Sequence, residues 1–154
     1  MPNTYSQLYI QTVFAVQNRI SLIANDWREE LHKYITGIVT KNKHKLIAIG
    51  GVADHVHLFF GYDINQTIPD LMQDVKRSSS LWINERKFVK GKFSWQEGYG
   101  AFSYSPSHID RVVKYIANQE KHHKKRSFTD EYIDFLNKFN VLYDERYIFK
   151  PIDV

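Results

Sequence analysis

Between Lys45 and Tyr62 two strand-like runs meet at a single polar residue, Asp54. The first, Lys45 to Ala53, is apolar and carries Gly50-Gly51; the second, His55 to Tyr62, is rich in aromatic and β-branched residues. A connection this short joins antiparallel strands, because a parallel pair needs a long crossover. The glycine pair predicts a bulge or a close backbone approach. The flanks extend the pattern. Tyr5 to Val16 reads as a strand. Asn25-Asp26 offers caps to a helix reaching about Lys43, with Trp27, Leu31, Tyr34, Ile35 and Ile38 at helical spacing.

Thr67 and Asp70 form a capping-box-like start to a helix that runs to about Phe88 and is ended by Gly91. Phe93 to Gln96 and Ala101 to Tyr104 read as short strands, and Ser105-Pro106 opens a third helix. Thr129-Asp130-Glu131 caps a last helix to about Phe139, and Tyr143 to Val154 reads as an extended tail. The order β, α, β, β, α, β and then helices is the split βαβ pattern. The expected fold is α+β and ferredoxin-like: an antiparallel sheet with helices on one face, plus a C-terminal helix bearing Tyr115. Residues 1–154 are expected to form one domain.

His55-Val56-His57 lies in the second strand of the hairpin. Residues i and i+2 of a strand share a face, so both imidazoles project together while Val56, Leu58 and Phe60 face the core. Alone, this pattern fits a divalent metal site or a partly exposed histidine pair. Tyr115 and Gln119 stand four residues apart in the third helix, on the flank of its apolar stripe; alone, they fit a tyrosine at the core edge beside a solvated amide. Together the segments supply what phosphodiester cleavage needs: a nucleophile and a Lewis acid on the scissile phosphate. The Gln119 oxygen can complete a metal shell begun by His55 and His57. The chain has no cysteine, so a metal must use His, carboxylate or amide ligands. Such a shell suits Mg²⁺ or Mn²⁺.

Charge is mildly positive, with 21 Lys and Arg against 17 Asp and Glu. This permits a phosphate-backbone partner without demanding one. The run Lys121 to Arg126 is the densest basic segment. Lys76, Arg77, Lys121, Lys124, Lys125 and Arg126 are candidate DNA contacts, each also readable as a solvated surface charge. Trp95, Tyr99, Phe102 and Tyr104 are expected around a hairpin turn, either as rings that stack on unpaired bases or as a small hydrophobic cluster closing the sheet, the latter favoured for Phe102. Ser78, Ser79 and Ser80 are expected to serve close helix packing, and His32 and His44 to be exposed. No run approaches a bilayer span and no signal peptide is evident, so a soluble cytoplasmic protein is expected.

These residues resemble the single-tyrosine HUH transposases of small bacterial insertion sequences, the IS200-like family, and among them the branch linked to repetitive extragenic palindromes. The likeness rests on His55-Val56-His57, on Tyr115 to Glu120, on Val75 to Trp82 and on Trp95 to Gly100, and it covers about Tyr9 to Tyr147. The resemblance implies Tyr115 as nucleophile, His55, His57 and Gln119 as metal ligands, and a homodimer. It implies single-stranded DNA with a hairpin as substrate, cut to a 5′-phosphotyrosine and a free 3′-hydroxyl. In many members the histidines and the tyrosine come from different subunits. The competing reading is a domesticated protein that grips DNA or RNA hairpins without cutting. A replication nickase would share the motif, but its usual extra domains are not evident.

Overall fold

In the computed structural model, which describes residues 3–123 and 127–143, four antiparallel strands form one sheet in the order β2-β3-β1-β4. They are β1 (Tyr9–Ala15), β2 (Lys45–Val52), β3 (His55–Gly61) and β4 (Gly100–Tyr104). Helix α1 (Asn25–Lys41) connects β1 to β2, and α2 (Ile68–Arg86) connects β3 to β4. This is the expected α+β arrangement. The chain continues through a 3₁₀ turn, Pro106–His108, into α3 (Ile109–Ala117), α4 (Gln119–His123) and α5 (Phe128–Lys138). Among the described residues, no helix is long and apolar enough to cross a membrane.

Strand alternation divides the interior in two. Phe14, Val56, Leu58 and Phe60 face α1 and α2, where they join Leu31, Ile35, Leu71 and Val75. The other face carries Val13, Ala15 and Phe102 against Phe128, Tyr132 and Leu136 of α5, and Phe59 against Val112 and Ile116 of α3. The tyrosine-bearing helix therefore lies on the face opposite α1 and α2.

The glycine pair serves a close approach. A Cβ on Gly50 would stand 2.5 Å from the Ile116 carbonyl oxygen and 2.7 Å from its side chain. Only glycine lets α3 lie this tightly on β2. The bulge is elsewhere: the β2–β3 register slips between Leu46 and Ala48. The extra residue places both Ile47 and Ala48 against the α3 side, while Leu46 and Ile49 pack toward α1 and α2. Gly100 plays the matching part on β4, where a Cβ would meet the Tyr132 ring at 2.7 Å.

Several local expectations change. Helix α1 is capped by Ala24 without a side-chain bond, so Asn25 and Asp26 lie inside its first turn. Thr67 does cap α2, accepting from the Asp70 N–H at 3.2 Å. That helix ends earlier than Gly91, at Lys87, which adopts the left-handed conformation at φ 56°. Ser127 caps α5 instead of Thr129, accepting from the Asp130 N–H at 3.2 Å. Phe93 to Gln96 is no strand; Trp95 makes one isolated bridge to Val16. The hairpin expected around Gly98 is absent, because β4 pairs with β1. Trp95 is instead a core residue edge-on to Phe14, with its indole N–H donating to buried Ser79 at 2.9 Å. Of the expected extended tail, all but Tyr143 lies outside the described residues.

The two histidines expected on the surface are not exposed. His44 is buried at the start of β2, bonded to Gln66 at 2.8 Å and to the Asp63 N–H at 3.0 Å. His32 is largely buried in α1, and its Nε2 lacks a hydrogen-bond partner. Burial first, and then the Arg28 guanidinium, push its pKa down to about 4. The unfolded chain thus binds a proton at this imidazole that the folded chain refuses. Stability rises with pH across the window from the folded to the unfolded value, and is lost as pH falls through it.

Two outcomes follow from these contacts. Gly50→Ala is expected to cost about 1–3 kcal/mol, read as a lower urea midpoint, because α3 must move off the sheet; an unchanged midpoint would contradict the close approach. His32→Leu is expected to flatten the acid limb of stability between pH 6.5 and about 4, by up to about 3 kcal/mol. Parallel wild-type and variant profiles over that range would count against a buried neutral imidazole.

Candidate active site

Strand β3 aims His55 and His57 at the face covered by α3 and α5, and both side chains are wholly buried. This excludes a partly exposed pair. Their rings stand 5.0 Å apart, nearly perpendicular. Buried imidazoles need polar partners, since an unpaired buried donor or acceptor costs about 1–3 kcal/mol. The neighbouring elements supply them. His55 Nδ1 bonds to Asp54 Oδ1 at 2.7 Å, so the turn residue of the hairpin also orients the first imidazole. His57 Nδ1 accepts from Gln11 Nε2 at 2.9 Å, and Gln11 Oε1 accepts from the Tyr104 hydroxyl at 2.8 Å. Burial pushes the Tyr104 phenol up to about 12, so it stays a protonated donor.

The two Nε2 atoms face a common space. His55 Nε2 lies 3.0 Å from Gln119 Oε1, and His57 Nε2 lies 3.1 Å from Glu131 Oε1. His55 Nε2 stands 3.7 Å from the same carboxylate oxygen. The Tyr115 hydroxyl donates to the other oxygen, Glu131 Oε2. The Tyr115 ring meets His57 edge-on at 5.9 Å. Tyrosine, imidazoles, amide and carboxylate, drawn from α3, β3, α4 and α5, converge within one chain.

The helix carrying the tyrosine is not continuous to Gln119. Helix α3 closes at Asn118, whose φ of −101° and ψ of 21° break the pattern, and Gln119 begins α4. The amide nevertheless reaches the site, and Gln119 is 2% exposed. The expected solvated amide is thus a buried one.

Glu131 is the site residue that the sequence reading missed. It was assigned to the helix cap, where an acid suits the dipole. Yet it falls in the buried stripe of α5, three residues after Phe128 and four before Phe135, and is 3% exposed. A carboxylate in an apolar slot at helical spacing is the signal that could have found it.

The donors fit a hard divalent ion. One ligand atom each from His55, His57 and Glu131 lies within 4.8 Å of the others. Neighbouring ligands of an octahedral ion at about 2.1 Å sit about 3 Å apart, close to the 3.0 and 3.1 Å separations here. The Asp54 contact fixes the His55 tautomer that leaves Nε2 free to ligate.

The basic candidates are dispersed. The Lys76 ammonium bonds to the carbonyls of Gln96 and Gly98, and burial pushes its pKa down to about 8. It ties that loop to α2. Arg77 is exposed on the same helix, and Lys121 is exposed on α4 beside Gln119. Lys124, Lys125 and Arg126 lie outside the described residues.

Known proteins share this arrangement of elements. The family profile described as "Transposase IS200 like" matches residues 4–119. The ISDra2 transposase TnpA of Deinococcus radiodurans is 23% identical over 118 residues, covering 73% of this chain and 84% of that protein. The crystal structure of a protein from Deinococcus radiodurans R1 described as a transposase superposes with a TM-score of 0.63 at 22% identity. That match covers 77% of this chain and 95% of the other. A REP-associated tyrosine transposase bound to a REP hairpin gives 0.59 at 13% identity, over 80% of this chain and 73% of its own. The structural likenesses show a common fold, and the profile spans most of the chain: it belongs to the IS200-like transposase family.

Proposed function

We propose that this transposase cleaves and rejoins single-stranded DNA through a covalent bond to Tyr115, with a divalent metal, Mg²⁺ or Mn²⁺, held by His55, His57 and Gln119. The observation that carries this reading is the contact of the Tyr115 hydroxyl with Glu131, whose other oxygen meets His57. A bare phenol beside a carboxylate would be an ordinary core-edge bond. Here the same carboxylate joins it to two wholly buried imidazoles, for which a fold-stabilising role alone gives no reason.

Each residue has a stated part. Tyr115 attacks phosphorus, forming the phosphotyrosine as the bond to the 3′-oxygen breaks. Asp54 holds His55 with Nε2 toward the site, and Gln11 does the same for His57 once its amide is turned to accept from Nδ1. Glu131 adds a fourth donor and orients the tyrosine. When bound, the metal polarises the scissile phosphate. In the reverse direction a 3′-hydroxyl attacks the phosphotyrosine and releases Tyr115, so a strand is joined without ATP.

We also propose that the substrate carries a hairpin, supported by the hairpin-bound state of one structural relative. Arg77 and Lys121, with Lys124, Lys125 and Arg126, would contact phosphates, and Lys76 would add charge from its seat against the loop. Residues 1–154 would act as one domain, in the cytoplasm and as a homodimer. In this reading each chain carries its own full set of site residues. The non-cleaving hairpin binder has no use for this buried set.

Protein mixed with Mn²⁺ and a stem-loop oligonucleotide from the ends of its own element is expected to form an adduct that survives denaturing electrophoresis. Tyr115→Phe should abolish that adduct and leave hairpin binding unchanged; a full-strength adduct from the variant would defeat the assignment. Mn²⁺ is further expected to raise the Tm of the DNA-free protein. His57→Ala should lose that rise, and Gln119→Ala, which removes a further ligand, should need more metal to show it. An equal rise in all three proteins would remove these residues from the metal site.

A further inference from the structure

A cavity of about 590 Å³ opens beside Tyr115, lined from β1, β4, α3 and α5. Its lining includes Tyr115 and Glu131, so it is continuous with the site, and it adds His108, while His55, His57 and Gln119 do not contribute. Tyr104, Tyr115, Phe135 and Phe139 give its lining an aromatic share. Tyr104 and Phe139 meet edge-on at 5.4 Å, and Phe135 packs edge-on against Tyr115 at 5.7 Å. Arg111 from α3 and Lys138 from α5 stand on its rim, both exposed, with the carboxylate of Asp134 beside them.

Walls of this kind suit a flat, uncharged ring system whose attached group is anionic. Aromatic faces stack on any nucleobase, and rim cations attract a phosphate without reading sequence. The volume lies within the range of small-ligand pockets. A peptide side chain or lipid tail would not use both the aromatic rings and the rim cations. Tyr115 itself lines the cavity, so on the nuclease reading an occupant lies beside the residue that attacks phosphorus.

We infer that this cavity is a nucleotide subsite. It takes the unpaired nucleotide flanking the scissile phosphate, its base against Phe139 and Phe135 and its outer phosphate toward Arg111 and Lys138. This rests on the nuclease reading of Tyr115 for its biological meaning, though not for its test. Seating the neighbouring base holds the strand so that the phosphate presented to Tyr115 cannot slide. The buried Tyr104–Gln11–His57 chain runs along the wall of this cavity, so an occupant would also press on the group that orients His57.

The test uses full-length Tyr115→Phe protein and deoxyadenosine monophosphate, with NMR shifts read for residues lining the cavity. The nucleotide is expected to perturb the signals of Phe135, Phe139 and Arg111. Phe139→Leu keeps apolar bulk against Phe102 and Tyr104 but loses the flat face; it should weaken binding by about tenfold. Arg111→Ala, at an exposed position that leaves packing intact, should weaken it several-fold and reduce its salt dependence. No perturbation up to the solubility limit, perturbation only elsewhere, or unchanged affinity in both variants would overturn the subsite. Because cleavage is not required, nucleotide binding by the Tyr115→Phe protein together with no adduct from the wild-type protein, with Mn²⁺ and the stem-loop, would sink the nuclease reading and spare this one. Adduct formation with no nucleotide binding would do the reverse.

Discussion

The alternation of side chains along β3 is the constraint from which the rest follows. Val56, Leu58 and Phe60 close the core under α1 and α2, which forces His55, His57 and Phe59 to the opposite face. A slip of one residue would exchange the sets, placing two imidazoles in a hydrocarbon core and three apolar residues at the site. The register with β1 on one side and β2 on the other prevents that slip. Chemistry and stability are therefore not separable on this strand, because the same period of two determines both.

Burying two imidazoles creates a debt of polar partners, and the fold meets it with elements far apart in sequence. Asp54 comes from the adjoining turn, Gln11 from the neighbouring strand, Gln119 from α4 and Glu131 from α5. Each of these four side chains offers an oxygen acceptor, which a lysine or arginine in its place would not.

The alternating and helical periods made the order of elements along the chain, the hairpin at Asp54, and the shared face of His55 and His57 legible in the sequence, and the family likeness pointed to Tyr115 and Gln119. What the sequence hid was long-range or local in ways those periods do not encode. Glu131 looked like a first-turn acid because its burial depends on α5 folding back over β3, seventy-odd residues away in the chain. The break at Asn118 carries no proline or glycine to announce it. The end of α2 at Lys87 places a lysine in a conformation that glycine usually takes, so Gly91 was the misleading choice. Trp95 read as a strand residue near a turn, but its indole N–H found a partner in Ser79 and its ring a place beside Phe14, and that pairing is visible only once α2 lies over the sheet.

The break between α3 and α4 changes how the site can be tuned. On one continuous helix, Tyr115 and Gln119 would move as a rigid pair, and any shift of the phenol would drag the amide with it. With the helix closed at Asn118, Tyr115 is set by the packing of Val112 and Ile116 on the sheet, and through Ile116 by Gly50. Gln119 instead follows α4, whose Glu120 reaches back to Arg28 of α1 at 3.4 Å. That ion pair joins an exposed carboxylate to a largely buried guanidinium and is worth little by itself. Its importance lies in geometry: it connects the amide to the helices on the far face, while the tyrosine answers to the near one. Tyrosine and amide are thus seated on different elements, coupled by the Gln119 amide donating to the Tyr115 carbonyl at 3.4 Å rather than by one continuous helix.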